Sequence, residues 1–254
     1  MDMDINLASI ALLCLTGFFA GAINTVAGGG SNLTLPVLMM LGLPADIANG
    51  SNRVAVMLQC LVGLRGYDKN NSLDRPALIP ILIPTMSGGL IGALAAAVLP
   101  NLYLKPLLLG TILCMSLIIL VRPSMIAHSP DTVALTPDES RMGWWGLFAA
   151  GVYGGFVQAG VGFILIAALA GGLRYDLLRA NALKTLCALA FTSIALLVFI
   201  IFGKVAWAPG LILAIGSMTG AHLAVKLAVR ASPEAIKWFL FLMTLVAVAG
   251  GLFL

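Results

Sequence analysis

Apolar residues run along this chain in blocks and do not alternate with polar ones. The blocks cover about residues 5–27, 31–42, 46–65, 76–98, 102–121, 142–160, 161–172, 177–202, 207–229 and 234–254. Continuous runs near 20 residues predict membrane-spanning helices; a transmembrane barrel would alternate apolar and polar positions. Two blocks are too short for that role. Residues 31–42 and 161–172 make about 18 Å of helix at 1.5 Å per residue, against a hydrocarbon core of about 30 Å. Each is therefore expected to be a half-helix completed by irregular backbone, or one arm of a re-entrant hairpin. Pro44, Pro76, Pro100 and Pro233 fall near block boundaries, as helix punctuation does.

The longest polar stretch, Arg122 to Arg141, divides the chain into near halves. The halves read as a repeat. Gly17, Gly21 and Asn24 match Gly151, Gly155 and Gln158 at an offset of 134. Leu43, Asp46 and Ser51 match Leu173, Asp176 and Asn181 at 130, and Gly88 and Gly92 match Gly216 and Gly220 at 128. The expected organisation is a first repeat over 1–121, a linker over 122–141 and a second repeat over 142–254.

Composition sharpens the class. The chain has 254 residues, 61% hydrophobic and only 9% charged, with a mean hydropathy of +1.07; a soluble domain carries about 25% charged residues. An all-α integral membrane protein follows, with no room for a sizeable soluble domain. The net charge of +4 carries no nucleic-acid signal, and the placement of the charges says more. Arg65, Lys69, Arg75, Arg122, Arg141, Arg174, Arg179, Lys226, Arg230 and Lys237 all follow odd-numbered blocks, whereas Lys105 and Lys204 lie on the other side. The positive-inside rule puts the ten, and the 122–141 loop, in the cytoplasm and both termini outside a cytoplasmic membrane. Five blocks per half is an odd number, so the two halves must be inverted. An inverted repeat with a broken helix in each half is a secondary-transporter layout, with the substrate near the midplane. Cys14, Cys60, Cys114 and Cys187 lie within apolar blocks and read as small buried hydrophobes. The acidic start, Met1-Asp2-Met3-Asp4, lacks the basic region of a cleavable signal peptide.

Two cations remain inside apolar blocks, Arg53 and Lys184. They occupy nearly equivalent positions of the two halves. Asn49, Ser51 and Asn52 accompany Arg53; Asn181 and Thr185 accompany Lys184. Either the side chains snorkel to headgroups, or they form a paired positive site for an anion. The run Gly28, Gly29, Gly30 precedes Ser31 and Asn32 at the start of a short helix. Such a run lets backbone N–H groups and the positive end of a helix approach an anion, with close helix packing as the alternative. Asn24 and Gln158 are candidates for polar contact. The spaced glycines of the sixth block favour packing, Asp46 and Asp176 read as N-caps, and Gln59 reads as interhelical glue. His222 reads as a simple hydrogen-bonding group. Trp144, Trp145, Trp207 and Trp238 read as interfacial anchors. No phosphate-binding loop, metal-ligand cluster or acid–base dyad is visible, so no cofactor, metal or catalytic site is expected.

The stretches GFFAGAINTVAGGGSNLTLPVLMMLGLPADIANGSNR, GVYGGFVQAGVGFILIAALAGGLRYDLLRANALKTL and GSMTGAHLAVKLAVR together resemble the TauE/SafE sulfite-exporter family of membrane transporters. The glycine-rich break followed by LGLP and GSN carries most of the likeness, which spans nearly the whole chain. The family usually shows Thr-Asn-Lys where this chain has Ser51-Asn52-Arg53. The resemblance implies movement of sulfite, thiosulfate or an organosulfonate such as sulfoacetate.

The leading expectation is a secondary transporter of a small anion working by alternating access. An anion channel and a non-transporting membrane scaffold stay open as alternatives. The expected partners are a small anionic substrate and the lipid bilayer, with a homodimer left open. No Asp or Glu lies mid-block, so anion exchange or facilitated movement is expected in place of proton symport through a carboxylate. If Arg53 and Lys184 bracket one anion, a double substitution should cost less than the sum of the singles.

Overall fold

A computed structural model of the chain describes residues 6–26, 28–70, 72–121 and 132–230. Side chains of 115–121 and 229–230 are not included. The described residues are helix, turn and loop, without strand. The order is α1 (Leu7–Val26), α2 (Ser31–Met40), α3 (Ala45–Lys69), α4 (Leu78–Val98), α5 (Asn101–Val121), α6 (Arg141–Phe156), α7 (Val161–Ile166, continued by a π-turn over Ala167–Gly172), α8 (Leu177–Ile201) and α9 (Trp207–Arg230). Each of the first nine apolar blocks falls on one of these. The tenth, 234–254, and residues 122–131 of the linker lie outside the described residues.

Both short blocks are half-helices set off by a glycine with left-handed backbone. Gly28 has φ +90° and Gly160 φ +73°. A β-carbon on Gly30 would collide with the carbonyl of Ala20 in α1 and lie 2.9 Å from the Asn24 Cβ. At its other end α2 shares an apolar cluster with Leu13 of α1. So α2 starts inside the bundle, level with Ala20, and runs back along α1 as the short arm of a re-entrant hairpin. Its 10 residues make about 15 Å, half a bilayer core.

Glycines weld the halves together, and they do so twice in the same way. Gly17 and Gly21 of α1 meet the carbonyls of Leu213 and Ser217 in α9, while Gly216 and Gly220 of α9 meet those of Cys14 and Phe18 in α1. Gly151 and Gly155 of α6 meet the carbonyls of Thr85 and Gly89 in α4, while Gly88 and Gly92 of α4 meet those of Phe148 and Val152 in α6. Every contact in the first set maps onto one in the second by the offsets of 134 and 128 found in the sequence. In a bilayer, where burial supplies little drive between helices, such backbone approach is a main source of packing energy.

Both pairs, α1 with α9 and α4 with α6, run parallel, as the alternating crossings require. The repeat-equivalent helices α3 and α8 run antiparallel. A β-carbon on Gly50 would lie 3.1 Å from the Phe199 ring, and one on Gly63 would lie 3.4 Å from the Thr185 methyl. Antiparallel mates are what an inverted repeat requires. Four described helices, α1, α4, α8 and the first 22 residues of α9, are long and apolar enough to cross a membrane. Outward residues such as Leu197, Ile201, Leu211 and Ile215 are largely apolar and exposed, as lipid contact demands.

Candidate functional site

Arg53 and Lys184 are buried, at 0% and 2% exposure. Snorkelling is thereby excluded for this conformation. Among the described residues no carboxylate pairs with either. Each cation instead holds the end of a broken helix from the opposite half. Arg53 Nη1 donates to the Gly154 carbonyl at 2.9 Å and Nη2 to the Gly155 carbonyl at 2.6 Å. These are near the last carbonyls of α6, which have no helical partner and carry the negative end of the helix dipole. Asn49 completes the cap: its Nδ2 donates to the Phe156 carbonyl at 2.8 Å, and its Oδ1 accepts from Arg53 Nη2 at 3.3 Å. The guanidinium also lies over the Phe199 ring, 5.3 Å from its centroid.

Lys184 does the same to α1. Its Nζ donates to the Thr25 carbonyl at 2.9 Å and to Asn181 Oδ1 at 2.8 Å. The Tyr67 hydroxyl donates to the same Thr25 carbonyl at 3.2 Å. Thr185 Oγ1 bonds back to the Asn181 carbonyl within α8.

The two cations therefore do not share a site in this conformation. Lys184 lies level with Leu64 of α3, roughly 11 residues or about 16 Å from Arg53. Each side chain reaches back to an asparagine nearer the start of its own helix. Because α3 and α8 are antiparallel, the charged ends diverge further. One small anion cannot touch both, so the expected bracket around a single ion is not formed here.

The cluster Asn49 to Arg53 divides its work residue by residue. Gly50 lets α3 approach the carbonyl of Lys204. Ser51 Oγ accepts from the Ala206 N–H at 2.8 Å and donates to the Ile47 carbonyl, so it faces the α8–α9 turn and not a cavity. Asn52 ties α3 to the start of α2: Thr34 Oγ1 donates to its Oδ1 at 2.6 Å, and its Nδ2 donates to Ser31 Oγ at 3.0 Å and, at 3.5 Å, to Gln158 Oε1. Gln158 Nε2 donates to Thr192 Oγ1 at 2.6 Å. A network of side chains thus joins both breaks to both long helices. Gln158 itself holds φ +70°, costly for a residue with a side chain.

The breaks cross. The Gly162 N–H donates to the Gly28 carbonyl at 3.2 Å, and a β-carbon on Gly28 would overlap the Gly162 Cα. Beside this crossing is a cavity of about 10 Å³ lined by Asn24, Thr25, Gly28, Lys184, Thr185 and neighbours including Gln59, Cys60 and Gly162. It has room for roughly one water molecule. Of the sequence candidates, Asn24, Gly28, Lys184 and Thr185 line it, with Asn181 behind Lys184. Asn49 and Arg53 sit at the end of α6, and Ser31, Asn52 and Gln158 form the network. Gly29 and the N-cap Gly30 lead into α2, and Asn32 lies in its first turn. Thr25, Cys60, Gly162, Thr34 and Thr192 were not picked out as site residues in the sequence. The glycine spacing around Gly162 was the one signal available; the threonines look like ordinary residues of apolar blocks.

Asp46 corrects an expectation. It is not an N-cap: Pro44 holds that place. Asp46 instead pairs with Lys204 at 2.9 Å and accepts from Asn101 Nδ2 at 2.8 Å, because the α8–α9 turn brings a cation over the start of α3. Asp176 does cap, accepting from the N–H groups of Leu178 and Arg179. At the opposite end of the bundle the Tyr175 hydroxyl donates to Asp74 Oδ2 at 3.0 Å. Burial, and then the Asp74 carboxylate, push the Tyr175 phenol up, so it stays a donor.

A sequence model described as sulfite exporter TauE/SafE matches residues 13–250. The chain is 26% identical over 252 residues to a probable membrane transporter protein of Haemophilus influenzae, covering 97% of this chain and 96% of that one. It is 25% identical to the probable membrane transporter protein ORF9 of a Sinorhizobium species, over 95% and 92% of the two chains. With the probable membrane transporter protein YfcA of Escherichia coli K12 the identity is 24%, over 90% and 84%.

Proposed function

The chain belongs to the sulfite exporter TauE/SafE family, and from that premise we propose that it is a secondary transporter of a small sulfur-containing oxyanion or organosulfonate, of the sulfite, thiosulfate and sulfoacetate class, working by alternating access across the cytoplasmic membrane. One observation carries the reading. Lys184 and Thr185 of one half face Asn24 and Gly28 of the other around a small cavity at the crossing of two helix breaks. A cation without a carboxylate partner, in an apolar bundle, favours an anionic ligand. The cavity has room for about one water molecule, so on this reading admission of a four-atom or larger oxyanion requires the halves to part.

The ends of the bundle support such a motion. Asp46 and Lys204 close one end, and Asp74 and Tyr175 the other. Lys204 and Asp74 are related by the offset of 130, so the two closures are built from equivalent loops. Parting one while keeping the other opens the site to one side at a time. With no carboxylate mid-helix among the described residues, the favoured energetics is anion exchange or facilitated flux. The charge count places the Lys204 end outside and the Asp74 end in the cytoplasm.

Uptake by purified protein in proteoliposomes tests the function. Sulfite, thiosulfate and sulfoacetate are offered in turn, and saturable flux of one of them is expected. Flux that rises linearly with concentration would mark a channel, and no flux of any would remove this substrate class. Sidedness has its own test. A cysteine at position 204 should react with a membrane-impermeant thiol reagent in intact cells, and one at position 131 only in inverted vesicles. The reverse labelling would overturn the orientation.

A further inference from the structure

Asn32 is the one described residue whose buried side chain has neither end satisfied. It is 1% exposed, and both Nδ2 and Oδ1 lack a hydrogen-bond partner. An amide buried without a partner is costly, because the hydrogen bonds it made to water are not replaced. The cost could be avoided with a leucine of similar volume.

The position of Asn32 gives the amide a target. It belongs to the first turn of α2, and its Nδ2 lies 3.9 Å from where a Gly29 β-carbon would stand. It therefore leans over the N-terminal end of that helix, whose positive end favours an anion. It is one turn from Gly28, which lines the Lys184 cavity. The Phe163 ring from the other half lies 3.2 Å from the same Gly29 position. Structural symmetry does not explain the residue. The offset of 132 that relates the two left-handed glycines, Gly28 and Gly160, puts Ile164 opposite Asn32. The second half makes the same bend with an apolar side chain.

An amide differs from the lysine and the backbone N–H groups near it in one respect. Those groups only donate, whereas a side-chain amide offers donors on one atom and an acceptor on the other. A fully deprotonated oxyanion such as thiosulfate, sulfoacetate or ethanesulfonate has only acceptors and would leave Oδ1 unmet, whereas hydrogen sulfite or a hydroxyl-bearing sulfonate of the same class carries a donor. Resting on the anion-transport reading above, we propose that Asn32 is a specificity-determining residue that selects an oxyanion carrying its own hydrogen-bond donor. The amide Nδ2 binds an oxyanion oxygen at the start of α2, and Oδ1 accepts from a hydroxyl, an N–H or a retained acid proton of the same ligand. A site built to pair a donor discriminates strongly against an analogue that lacks it, because its own polar atom is otherwise left buried and unpaired.

Two sulfonates with the same carbon frame test this: 2-hydroxyethanesulfonate, which has a hydroxyl, and ethanesulfonate, which does not. Affinities are measured by calorimetry on the full-length protein in detergent, for wild type, Asn32→Leu and Lys184→Gln. Wild type should bind the hydroxylated ligand about 10-fold or more tightly than the plain one. Asn32→Leu should bring that ratio near one, and Lys184→Gln should weaken both ligands while keeping the ratio. Asn32→Ser, which restores a donor and an acceptor on a smaller side chain, should regain part of the preference if the leucine variant folds poorly. A wild-type ratio of one, or a ratio that survives Asn32→Leu, overturns the role of Asn32 while leaving the anion site in place. Failure of wild type to bind either sulfonate overturns the role of Asn32 together with the organosulfonate reading. Binding that Lys184→Gln leaves unchanged removes the anion site at Lys184.

Discussion

Arg53 and Lys184 look alike in the sequence and differ in what their loss should do. Both terminal nitrogens of Arg53 are engaged, with two α6 carbonyls and Asn49 as acceptors, while its buried Nε has no partner. Replacing it by Gln leaves buried carbonyls without donors, at about 1–3 kcal/mol for each such group. Arg53→Gln should therefore lower the melting temperature in detergent clearly, with a smaller effect on anion affinity. Lys184 lines the cavity. Lys184→Gln should weaken anion binding roughly 10- to 100-fold, at about 1.4 kcal/mol per decade, while Gln still donates to the Thr25 carbonyl. Sites this far apart with no shared partner act independently. The double variant should thus lose in stability and affinity the sum of the singles, contrary to the sub-additive loss expected if both held one ion. Calorimetry and thermal melting of the four proteins decide between them; a clear shortfall from additivity would restore the shared site. The sequence showed that the two cations were special, because charge inside an apolar block is costly. It did not show their partners, since those are main-chain carbonyls contributed by the other half, and a carbonyl leaves no mark in the residue pattern. Asn32 was legible only as one polar residue among several. Its unmet amide is a property of three-dimensional surroundings.

At the scale of helices, glycine spacing was informative because backbone contact is encoded in it. Gly17, Gly21, Gly151 and Gly155 sit where a β-carbon would strike a carbonyl of the partner helix. Gly21→Ala and Gly155→Ala should each destabilise the protein, by about 1–3 kcal/mol as overpacking usually does, and by similar amounts because the contacts are repeat-equivalent. Gly110 in α5 faces open space. Gly110→Ala should be neutral, or stabilising by up to about 1 kcal/mol through the better helix propensity of Ala. Thermal melts in one detergent compare the three; a Gly21→Ala protein as stable as wild type would show that α1 and α9 are not locked by that contact. Block lengths likewise marked α2 and α7 as half-helices. Hydropathy could not tell a crossing from a re-entrant arm, because either is equally apolar. The contact of Gly30 with Ala20 makes that choice for α2.

For the whole molecule, the repeat relates contacts as well as residues, and the closures at the two ends are the place where the relation can be probed. Asp46 and Lys204 are a partly buried pair, with side chains 11% and 22% exposed. A pair between the surface and the interior contributes on the order of 1–2 kcal/mol, above a fully exposed bridge and below a buried one. Asp46→Lys sets two cations against each other over the start of α3, where a positive helix end adds to the repulsion. It should lower thermal stability and favour a conformation parted at this end. Adding Lys204→Asp restores opposite charges and should recover part of the lost stability. Recovery should be incomplete, because a lysine at position 46 cannot accept from Asn101 Nδ2 as the Asp46 carboxylate does. Transport carries the second reading. If opening this end is a required step, Asp46→Lys should change the rate of uptake, and the exchanged pair should move it back toward wild type. The single and double variants with identical uptake and identical melting would mean that the pair only decorates the bundle's rim. The halves would then be held shut at this end by other contacts between them, such as the Asn49 and Arg53 bonds to the α6 carbonyls.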